Sequence, residues 1–201
     1  MASQTTWAPT SAFAGIAERR ASAGGVTVTI LDNLGLASAH VRKGQQAALA
    51  AKVKKAYGLA PPTSPARAAK GDVAFVATGP GAWMAVSEGG PLGWADKVAA
   101  DLSGLASVND QSDGYAAVRL EGPDLMGVLE KGVFIDLHDS AFPVGSSAGV
   151  SIAHIGAILW RREAAVYEIL VFRSYAASFW QWLEESAAEF GLDVVFQAPG
   201  P

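Results

Sequence analysis

The sequence predicts an α+β fold made of two related halves of split βαβ type. Apolar segments with the alternation of strands are interleaved with amphipathic segments typical of helices. In addition, HVRKGQQAALAAKV (40–53) and RLEGPDLMGVLEKG (119–132) both run strand, glycine, helix, so the pattern occurs twice. The 201 residues are enough for one domain, or for two small halves that share a core.

The first half is expected to follow an extended N-terminal arm. The arm spans residues 1–22, and its isolated aromatics, Trp7 and Phe13, are predicted to touch a neighbour. Residues 23–111 then contain a strand hairpin, a helix, a proline-rich loop, a second hairpin, a second helix and a strand. These elements lie in order at 26–42, 44–58, 59–71, 72–88, 92–104 and 105–111. Gly58 stands where the C-terminal cap of the first helix belongs.

The second half, residues 112–201, repeats this order. A strand is followed by a short helix with Pro123 in its first turn, a loop, two or three strands in a meander, a long helix and a closing strand. Ser174 is the expected cap of the long helix, and Gly191 ends it. The helix has one apolar stripe, which consists of Phe179, Trp182, Leu183, Ala187 and Phe190. Trp180 falls off this stripe and is predicted to lie at an interface.

Composition excludes several classes of function. Half of the residues are apolar and 17% are charged, against about 25% in an average protein, so either the core is large or a partner covers part of the surface. The net charge of −4 without a basic cluster argues against nucleic acid. The absence of cysteine excludes disulfides and thiol catalysis, and it suits a reducing cytoplasm. Neither a secretory signal nor a membrane span is expected, because Pro143 and several glycines interrupt the one long uncharged stretch.

The segment KGVFIDLHDSAFP (131–143) is the densest group of chemically active side chains. Asp136, His138 and Asp139 can form part of a metal site or an acid–base pair. A third metal ligand would then have to be His154 or His40, for which the spacing gives no support. The simpler alternative is a structural loop, in which an aspartate accepts backbone N–H bonds and His138 pairs locally. We favour this alternative.

No other motif specifies an enzyme. The sequence GPGAW lies between two strands, which predicts a hairpin turn rather than a phosphate-binding loop. The stretch VGSSAGV lacks the G-x-S-x-G spacing of a serine nucleophile and is predicted to be a loop. The pairs Arg119–Glu121 and Arg161–Glu163 are expected to be solvated partners across strands. We therefore predict no catalytic, cofactor-binding or metal-binding residue in this chain.

Four stretches resemble the gamma subunit of heterotetrameric sarcosine oxidase. In order they are GPGAWMAV, ASVNDQSDGYAAVRLEGPDLMGVLEKGVFIDLHDSAFPVG, IAHIGAILWRR and LVFRSYAASFWQWLEESAAEFG. The middle block is the most specific, and the resemblance is weakest in the N-terminal arm and the proline-rich loop. The resemblance implies a fold similar to the folate-binding domains of the glycine-cleavage T-protein.

The resemblance also implies a function. The family's complex of alpha, beta, gamma and delta subunits oxidatively demethylates sarcosine to glycine with formation of hydrogen peroxide, and it passes the one-carbon unit to tetrahydrofolate or releases formaldehyde. FAD, FMN, NAD, zinc and tetrahydrofolate would be held by the partner subunits, and this chain would serve assembly and stability. Two alternatives stay open: the corresponding subunit of an N-methylglutamate dehydrogenase-type complex, and a stand-alone folate-binding protein of one-carbon transfer.

A partner surface is expected if the chain is such a subunit. The residues predicted to form it are Trp7, Phe13, His138, Phe142, Pro143 and Trp180. This set combines the aromatics of the arm, the loop SAFPVG and the tryptophan that falls outside the helical stripe.

Overall fold

The chain folds into four layers, with helices on the outer sides of two stacked β-sheets. The structure, a computed structural model, describes residues 10–21 and 23–197. In chain order its strands are β1 (Val26–Ile30), β2 (Gly35–Val41), β3 (Arg67–Lys70), β4 (Val73–Gly79), β5 (Ala82–Ser87), β6 (Ala106–Asp110), β7 (Tyr115–Glu121), β8 (Ser147–Ile152), β9 (Ile155–Glu163), β10 (Val166–Phe172) and β11 (Leu192–Phe196). Its helices are α1 (Gln46–Tyr57), α2 (Trp94–Asp101), α3 (Leu125–Leu129) and α4 (Ala176–Ala187), and a 3₁₀ turn at Arg173–Tyr175 precedes α4.

The two sheets differ in size and are almost entirely antiparallel. The larger sheet has the strand order β11-β1-β7-β10-β9-β8, and the smaller has the order β3-β4-β5-β2-β6. The pair β1–β11 is parallel, whereas the neighbouring pair β1–β7 and the meander β8–β9–β10 are antiparallel. Mixed strands and helices of this kind confirm the predicted α+β class.

The predicted hairpin between the first two strands is wrong. β1 pairs with β11 and β7 in the larger sheet, whereas β2 pairs with β5 and β6 in the smaller one. Leu31 and Leu34, in the connection between them, are buried in the apolar cluster between the sheets. The connection therefore crosses from sheet to sheet because its leucines gain more burial there than in a hairpin turn.

Three apolar clusters separate the four layers. The side chains of α1 and α2 cover the smaller sheet with residues such as Leu49, Val53 and Val98. Those of α3 and α4 cover the outer face of the larger sheet, where Phe179 and Leu183 are fully buried. The facing sides of the sheets meet in the third cluster, which consists of Leu31, Leu34, Leu36, Ala74, Val76, Met84, Val86, Ala117, Trp160 and Leu170.

An ionic network joins the same two faces. It consists of Arg67, Glu88, Arg119, Arg162 and Glu168 and is called here the inter-sheet network. Glu168, with a side chain 5% exposed, lies 2.6 Å from Arg119 Nη2 and 3.0 Å from Arg162 Nη1. Its other oxygen accepts a hydrogen bond of 2.6 Å from Trp160 Nε1. The carboxylate of Glu88, from the smaller sheet, binds Arg162, so the network links the sheets through charge as well as apolar contact.

The charges of this network shift its own titration. Burial lowers the pKa of Arg67, an effect that the carboxylates of Glu168 and Glu88 oppose. Burial also lowers the pKa of Arg162, but its hydrogen bond to Glu88 and the charge of Glu168 outweigh this, and the net pKa is raised. Arg67 and Arg162 therefore stay charged at neutral pH.

The helix predictions are confirmed in part. Gly58 has φ of 69° and donates its N–H to Lys54 O at 3.0 Å, as a left-handed C-cap does. The predicted cap of the last helix is wrong: Ser174 lies in the 3₁₀ turn, and α4 begins after Tyr175 without a side-chain cap bond. Of the predicted stripe, Trp182 on α4 and Phe190 just after it are only partly buried, whereas Trp180 is 2% exposed. The buried face is thus rotated towards Trp180.

One strand lies where a loop was expected, and another begins two residues before the predicted meander. β3 falls within the predicted proline-rich loop, where it pairs with β4 along the edge of the smaller sheet. β8 begins at Ser147, inside the predicted loop VGSSAGV, and Ser147 Oγ donates to Ala77 O at 3.0 Å. The β3 sequence, Arg-Ala-Ala-Lys, contains no β-branched residue, so its pairing comes from tertiary context.

The described part of the N-terminal arm packs on the chain itself. Phe13 is 1% exposed, and Arg20 exchanges backbone hydrogen bonds with Val194 of β11. The division into residues 1–22, 23–111 and 112–201 stays a prediction, and β1 lies in one sheet with strands of the predicted second half. Within the ranges that the structure describes, no helix has the length and apolar character needed to cross a membrane.

Candidate functional site

The loop 131–143 follows α3 and turns sharply. It enters at Gly132, where a Cβ would lie 2.6 Å from ring atoms of Trp182, so only glycine fits there. Asp136 Oδ1 accepts the backbone N–H of His138 at 2.9 Å, and His138 Nδ1 lies 2.9 Å from Ser140 Oγ. These bonds are those of a local polar turn. The local bonds that the structural interpretation predicts for Asp136 and His138 are therefore present, and their role stays a prediction.

Asp139 has a different partner. Its Oδ1 lies 2.6 Å from Nη1 of Arg161 on β9, and the two side chains are 82% and 6% exposed. The remaining donors of this arginine bind main-chain oxygens: Nη1 donates to Phe142 O at 2.9 Å, and Nε donates to Ala164 O at 3.2 Å. Arg161 therefore ties the loop to the end of the larger sheet. It is not the solvated partner of Glu163 that the sequence predicts.

A cleft of about 540 Å³ opens beside this pair. We call it the Arg161 cleft. Its residues are Gly122, Pro123, Leu125, Met126, Glu130, Val133, Ile135, Asp136, Leu137, His138, Asp139, Arg161, Ala164, Ala165 and Tyr167. The lining combines the buried guanidinium of Arg161 with apolar side chains and with the exposed carboxylates of Glu130, Asp136 and Asp139. A mostly apolar surface with a few polar groups is typical of small-molecule sites.

Tyr167 lies on the wall of this cleft and is fully buried. The guanidinium carbon of Arg161 is 5.5 Å from its ring centroid, and the ring of Phe142 stacks at 6.4 Å. Within the described residues its hydroxyl has no hydrogen-bond partner. The pKa of Tyr167 is raised, mainly by burial. The charge of Arg161 opposes this effect and that of Asp139 adds to it, so the phenol keeps its proton at neutral pH.

The histidines considered as metal ligands are not brought together. His40 lies in β2 of the smaller sheet, and His154 lies at the β8–β9 turn of the larger one. In that turn Ala153 and His154 have φ of 47° and 70°, as a two-residue hairpin requires. Among the described residues, no three His, Cys, Asp or Glu side chains form a group that could hold a metal ion.

The predicted partner residues separate into exposed and buried ones. Trp7 lies outside the described residues, while His138 and Pro143 are exposed. Phe13 and Trp180 are buried against each other with ring centroids 5.5 Å apart, and Phe142 is 5% exposed. The burial of these three aromatics argues against direct contact with a partner. The predicted interface stays a prediction for the exposed positions.

A second cleft of about 600 Å³ lies where the two sheets meet. It is formed by α1, the proline-rich loop, the β4–β5 turn and the start of β8, and none of its residues is charged. The turn GPGAW is part of its rim, which confirms the predicted hairpin turn. Two of its polar side chains are paired within the chain, since Trp83 Nε1 donates to Pro62 O at 2.8 Å and Ser147 Oγ donates to Ala77 O. This cleft therefore offers mainly apolar surface and no charged side chain.

The two residues that distinguish the Arg161 cleft, Arg161 and Tyr167, were missed as a site in the sequence. The alternation of side chains along the two strands could have identified them. Arg161 follows Leu159 by two residues on β9, and Tyr167 precedes Ile169 by two on β10, so both share the core-facing side. A buried arginine needs hydrogen-bond or ionic partners inside the protein. An arginine at a core-facing position of a strand therefore indicates a candidate binding site.

Comparison with known proteins gives a consistent result. The family model described as "Sarcosine oxidase, gamma subunit family" matches residues 42–189. The sarcosine oxidase subunit gamma of Corynebacterium sp. (strain P-1) is 31% identical over 117 residues, and that of Arthrobacter sp. is 30% identical over 118 residues. Each alignment covers 58% of this chain, and the chain spans only 58% of the length of each relative.

Solved structures extend the match to the whole fold. A chain of the heterotetrameric sarcosine oxidase from Corynebacterium sp. U-96 superposes with a TM-score of 0.74 and 26% identity, covering 86% of this chain and 88% of that chain. The aminomethyltransferase T of the glycine cleavage system from Bartonella henselae superposes with a TM-score of 0.58 and 10% identity, covering 86% and 48%. The second match concerns the fold alone, and it confirms the predicted likeness to the T-protein.

Proposed function

The chain belongs to the sarcosine oxidase gamma subunit family, and on this basis we propose that it is the non-catalytic gamma subunit of a heterotetrameric sarcosine oxidase. The complex would be an oxidoreductase that acts on the CH–NH bond of sarcosine with oxygen as acceptor. It would release glycine and hydrogen peroxide, and the methyl carbon would pass to tetrahydrofolate or leave as formaldehyde.

One observation carries this proposal. The family match at 42–189 includes strands of both sheets and all four helices. The similarity to a heterotetrameric sarcosine oxidase chain extends over 88% of that chain. The likeness therefore extends over both sheets rather than one shared motif.

The role of the chain would be assembly and stability. Its conspicuous polar residues serve its own fold: Asp136 and His138 close a turn, and Asp139 binds Arg161. The chain would offer rigid surface to the alpha, beta and delta subunits, which would hold FAD, FMN, NAD, zinc and tetrahydrofolate. The net charge of −4 supports protein partners over nucleic acid. A cytoplasmic location belongs to the same proposal, and the cysteine-free sequence supports it.

The relatives favour this function over both alternatives. Those reported above are named as sarcosine oxidase subunits, rather than as parts of an N-methylglutamate dehydrogenase. A stand-alone folate protein finds support only in the fold, since the T-protein match has 10% identity.

Co-purification from the native host tests the proposal. We expect an affinity-tagged copy of this chain to bring down three further polypeptides, with flavin absorbance and with oxygen uptake on addition of sarcosine. Oxygen uptake with N-methylglutamate in place of sarcosine would favour the first alternative. Recovery of the folded chain alone, without flavin, would contradict the subunit role.

A further inference from the structure

The ion pair at the Arg161 cleft is unequal. The guanidinium of Arg161 is 6% exposed, whereas the carboxylate of Asp139 is 82% exposed. An arginine buried in this way needs an anionic or polar partner, because its desolvation is otherwise uncompensated. An aspartate on an exposed loop regains its hydration as soon as it turns outward, so little free energy holds it on the arginine. Another carboxylate can therefore replace that of Asp139 on Arg161 at a low cost in free energy.

Tyr167 adds a second and independent feature. Its side chain is fully buried on the wall of the cleft, and within the described residues its hydroxyl lacks a hydrogen-bond partner. A buried polar group without a partner is unfavourable in a finished core. Asp139 Oδ1 lies 2.6 Å from Arg161 Nη1, and the guanidinium carbon of Arg161 lies 5.5 Å from the ring centroid of Tyr167. An acceptor that replaces Asp139 would thus come close to both Arg161 and the phenol.

The remaining wall sets the size and polarity of the occupant. Leu125, Val133 and Leu137 are buried side chains of the cleft. A cleft of about 540 Å³ falls within the range of small-molecule sites. The lining holds one buried cation, Arg161, and three exposed carboxylates, those of Glu130, Asp136 and Asp139. One buried guanidinium beside apolar side chains matches a ligand with a single carboxylate and an apolar body, and the surrounding acids disfavour a second anionic group.

We propose that the Arg161 cleft binds a small apolar monocarboxylate, whose carboxylate takes the place of Asp139 on Arg161 and accepts a hydrogen bond from Tyr167. Asp139 acts as an internal competitor that occupies the arginine until the ligand arrives. The proposal concerns this chain alone and does not depend on its membership in an oxidase complex.

The test uses the full chain, expressed without partners, and benzoate as the probe. Calorimetric titration at low salt compares benzoate with benzamide, a neutral ligand of the same shape. Asp139→Asn removes the competing charge and Tyr167→Phe removes the hydroxyl, while both keep the side-chain shape. Asp113→Asn is the matched charge control, because Asp113 is an exposed residue outside the cleft. Arg161 itself is left intact, since its loss would unpair Phe142 O and Ala164 O.

We expect benzoate, and not benzamide, to bind saturably. Asp139→Asn should tighten binding about two- to fivefold, because an exposed ion pair contributes little. Tyr167→Phe should weaken binding about three- to tenfold, as the loss of one hydrogen bond does. Asp113→Asn should leave binding unchanged. No saturable binding of benzoate to either the wild type or Asp139→Asn would overturn the proposal. Equal binding by the wild type, Asp139→Asn and Tyr167→Phe would also overturn it, since the probe would then bind elsewhere.

Discussion

Arg161 and Arg162 are consecutive residues of β9, but their surroundings differ sharply. Arg162 faces the smaller sheet and shares the inter-sheet network with Glu88 and Glu168. Arg161 faces the opposite side, where main-chain oxygens and the exposed Asp139 bind it. The alternation of side chains along a strand places the two cations on opposite faces of one sheet.

The difference lies in the exposure of the acids. Glu168 is 5% exposed and Glu88 is 25% exposed, whereas Asp139 is 82% exposed. When both members of an ion pair are withdrawn from water, the removal of one leaves the other uncompensated. When only the cation is withdrawn, the acid can leave for water at little cost. The inter-sheet network is therefore expected to hold the structure together, while the Arg161–Asp139 pair is exchangeable.

The largest expected effect comes from Glu168→Gln. This change leaves three arginines of the inter-sheet network opposite Glu88 alone, and we expect it to lower the free energy of unfolding by about 3 kcal/mol. Urea denaturation followed by circular dichroism measures this. Glu163→Gln, at an exposed position of the neighbouring strand β9, is the control and should change stability by less than about 0.5 kcal/mol. Similar losses of stability in the two variants would contradict the view that the buried inter-sheet network holds the structure together.

Trp160→Phe is expected to have the next largest effect. The change removes the donor of the 2.6 Å hydrogen bond to Glu168 Oε2 and leaves a void in the apolar cluster between the sheets. A loss of about 2 to 3 kcal/mol is expected, as for a buried hydrogen bond to a charge. If the double variant with Glu168→Gln loses less than the sum of the single changes in urea denaturation, the two residues act as one unit. Full additivity would argue against a shared network.

Asp139→Asn tests the exposed side of the comparison. The pair with Arg161 has a carboxylate that is 82% exposed, so its removal should lower the free energy of unfolding by less than about 1 kcal/mol. The same urea titration, run beside Glu168→Gln, gives the ratio directly. A loss as large as that of Glu168→Gln would show that Asp139 is a fixed structural partner rather than an exchangeable one.

The smallest expected effect concerns Asp101 at the rim of the smaller sheet. Its carboxylate lies 2.7 Å from Lys97 Nζ and accepts a 2.8 Å bond from Tyr57 Oη. The hydrogen bond from Lys97 is the largest cause that lowers its pKa, opposed by some desolvation. Because the folded-state pKa is depressed, this contribution is present above the unfolded value of about 3.9 and is lost as the pH falls through the folded value. Asp101→Asn should flatten the acid limb of stability against pH by a few tenths of a kcal/mol.

The thermal midpoint between pH 2 and pH 6 reports this effect. The matched variant is Asp113→Asn, which should leave the wild-type slope unchanged. The partner Tyr57 shows the reverse shift, since burial and the bond to Asp101 raise its pKa. Its phenol therefore stays protonated and keeps donating across the tested range. If the thermal midpoint of Asp101→Asn changes with pH as that of the wild type does, the Lys97–Asp101 pair does not contribute to the loss of stability in acid.

Local sequence determined the elements with strong intrinsic signals. The run of helix formers before Gly58 became α1 with a left-handed cap, and the alternating VTVTI became β1. The polar turn of Asp136 and His138 was also predictable, because aspartate and serine side chains bind nearby backbone and ring nitrogens. In each case the forces act between residues a few positions apart.

Tertiary structure alone decided which elements meet. β1 pairs with β7 and β11 instead of forming the expected hairpin, and β3 forms a strand although it has no β-branched residue. Trp180 is buried in the core against Phe13. The opposite environments of Arg161 and Arg162 arise in the same way. Their partners Asp139 and Glu88 lie 22 and 74 positions away in the chain, so pairing depends on how sheets and loops stack. Burial free energy is gained only when distant segments come together, and it outweighs local preference wherever the two disagree.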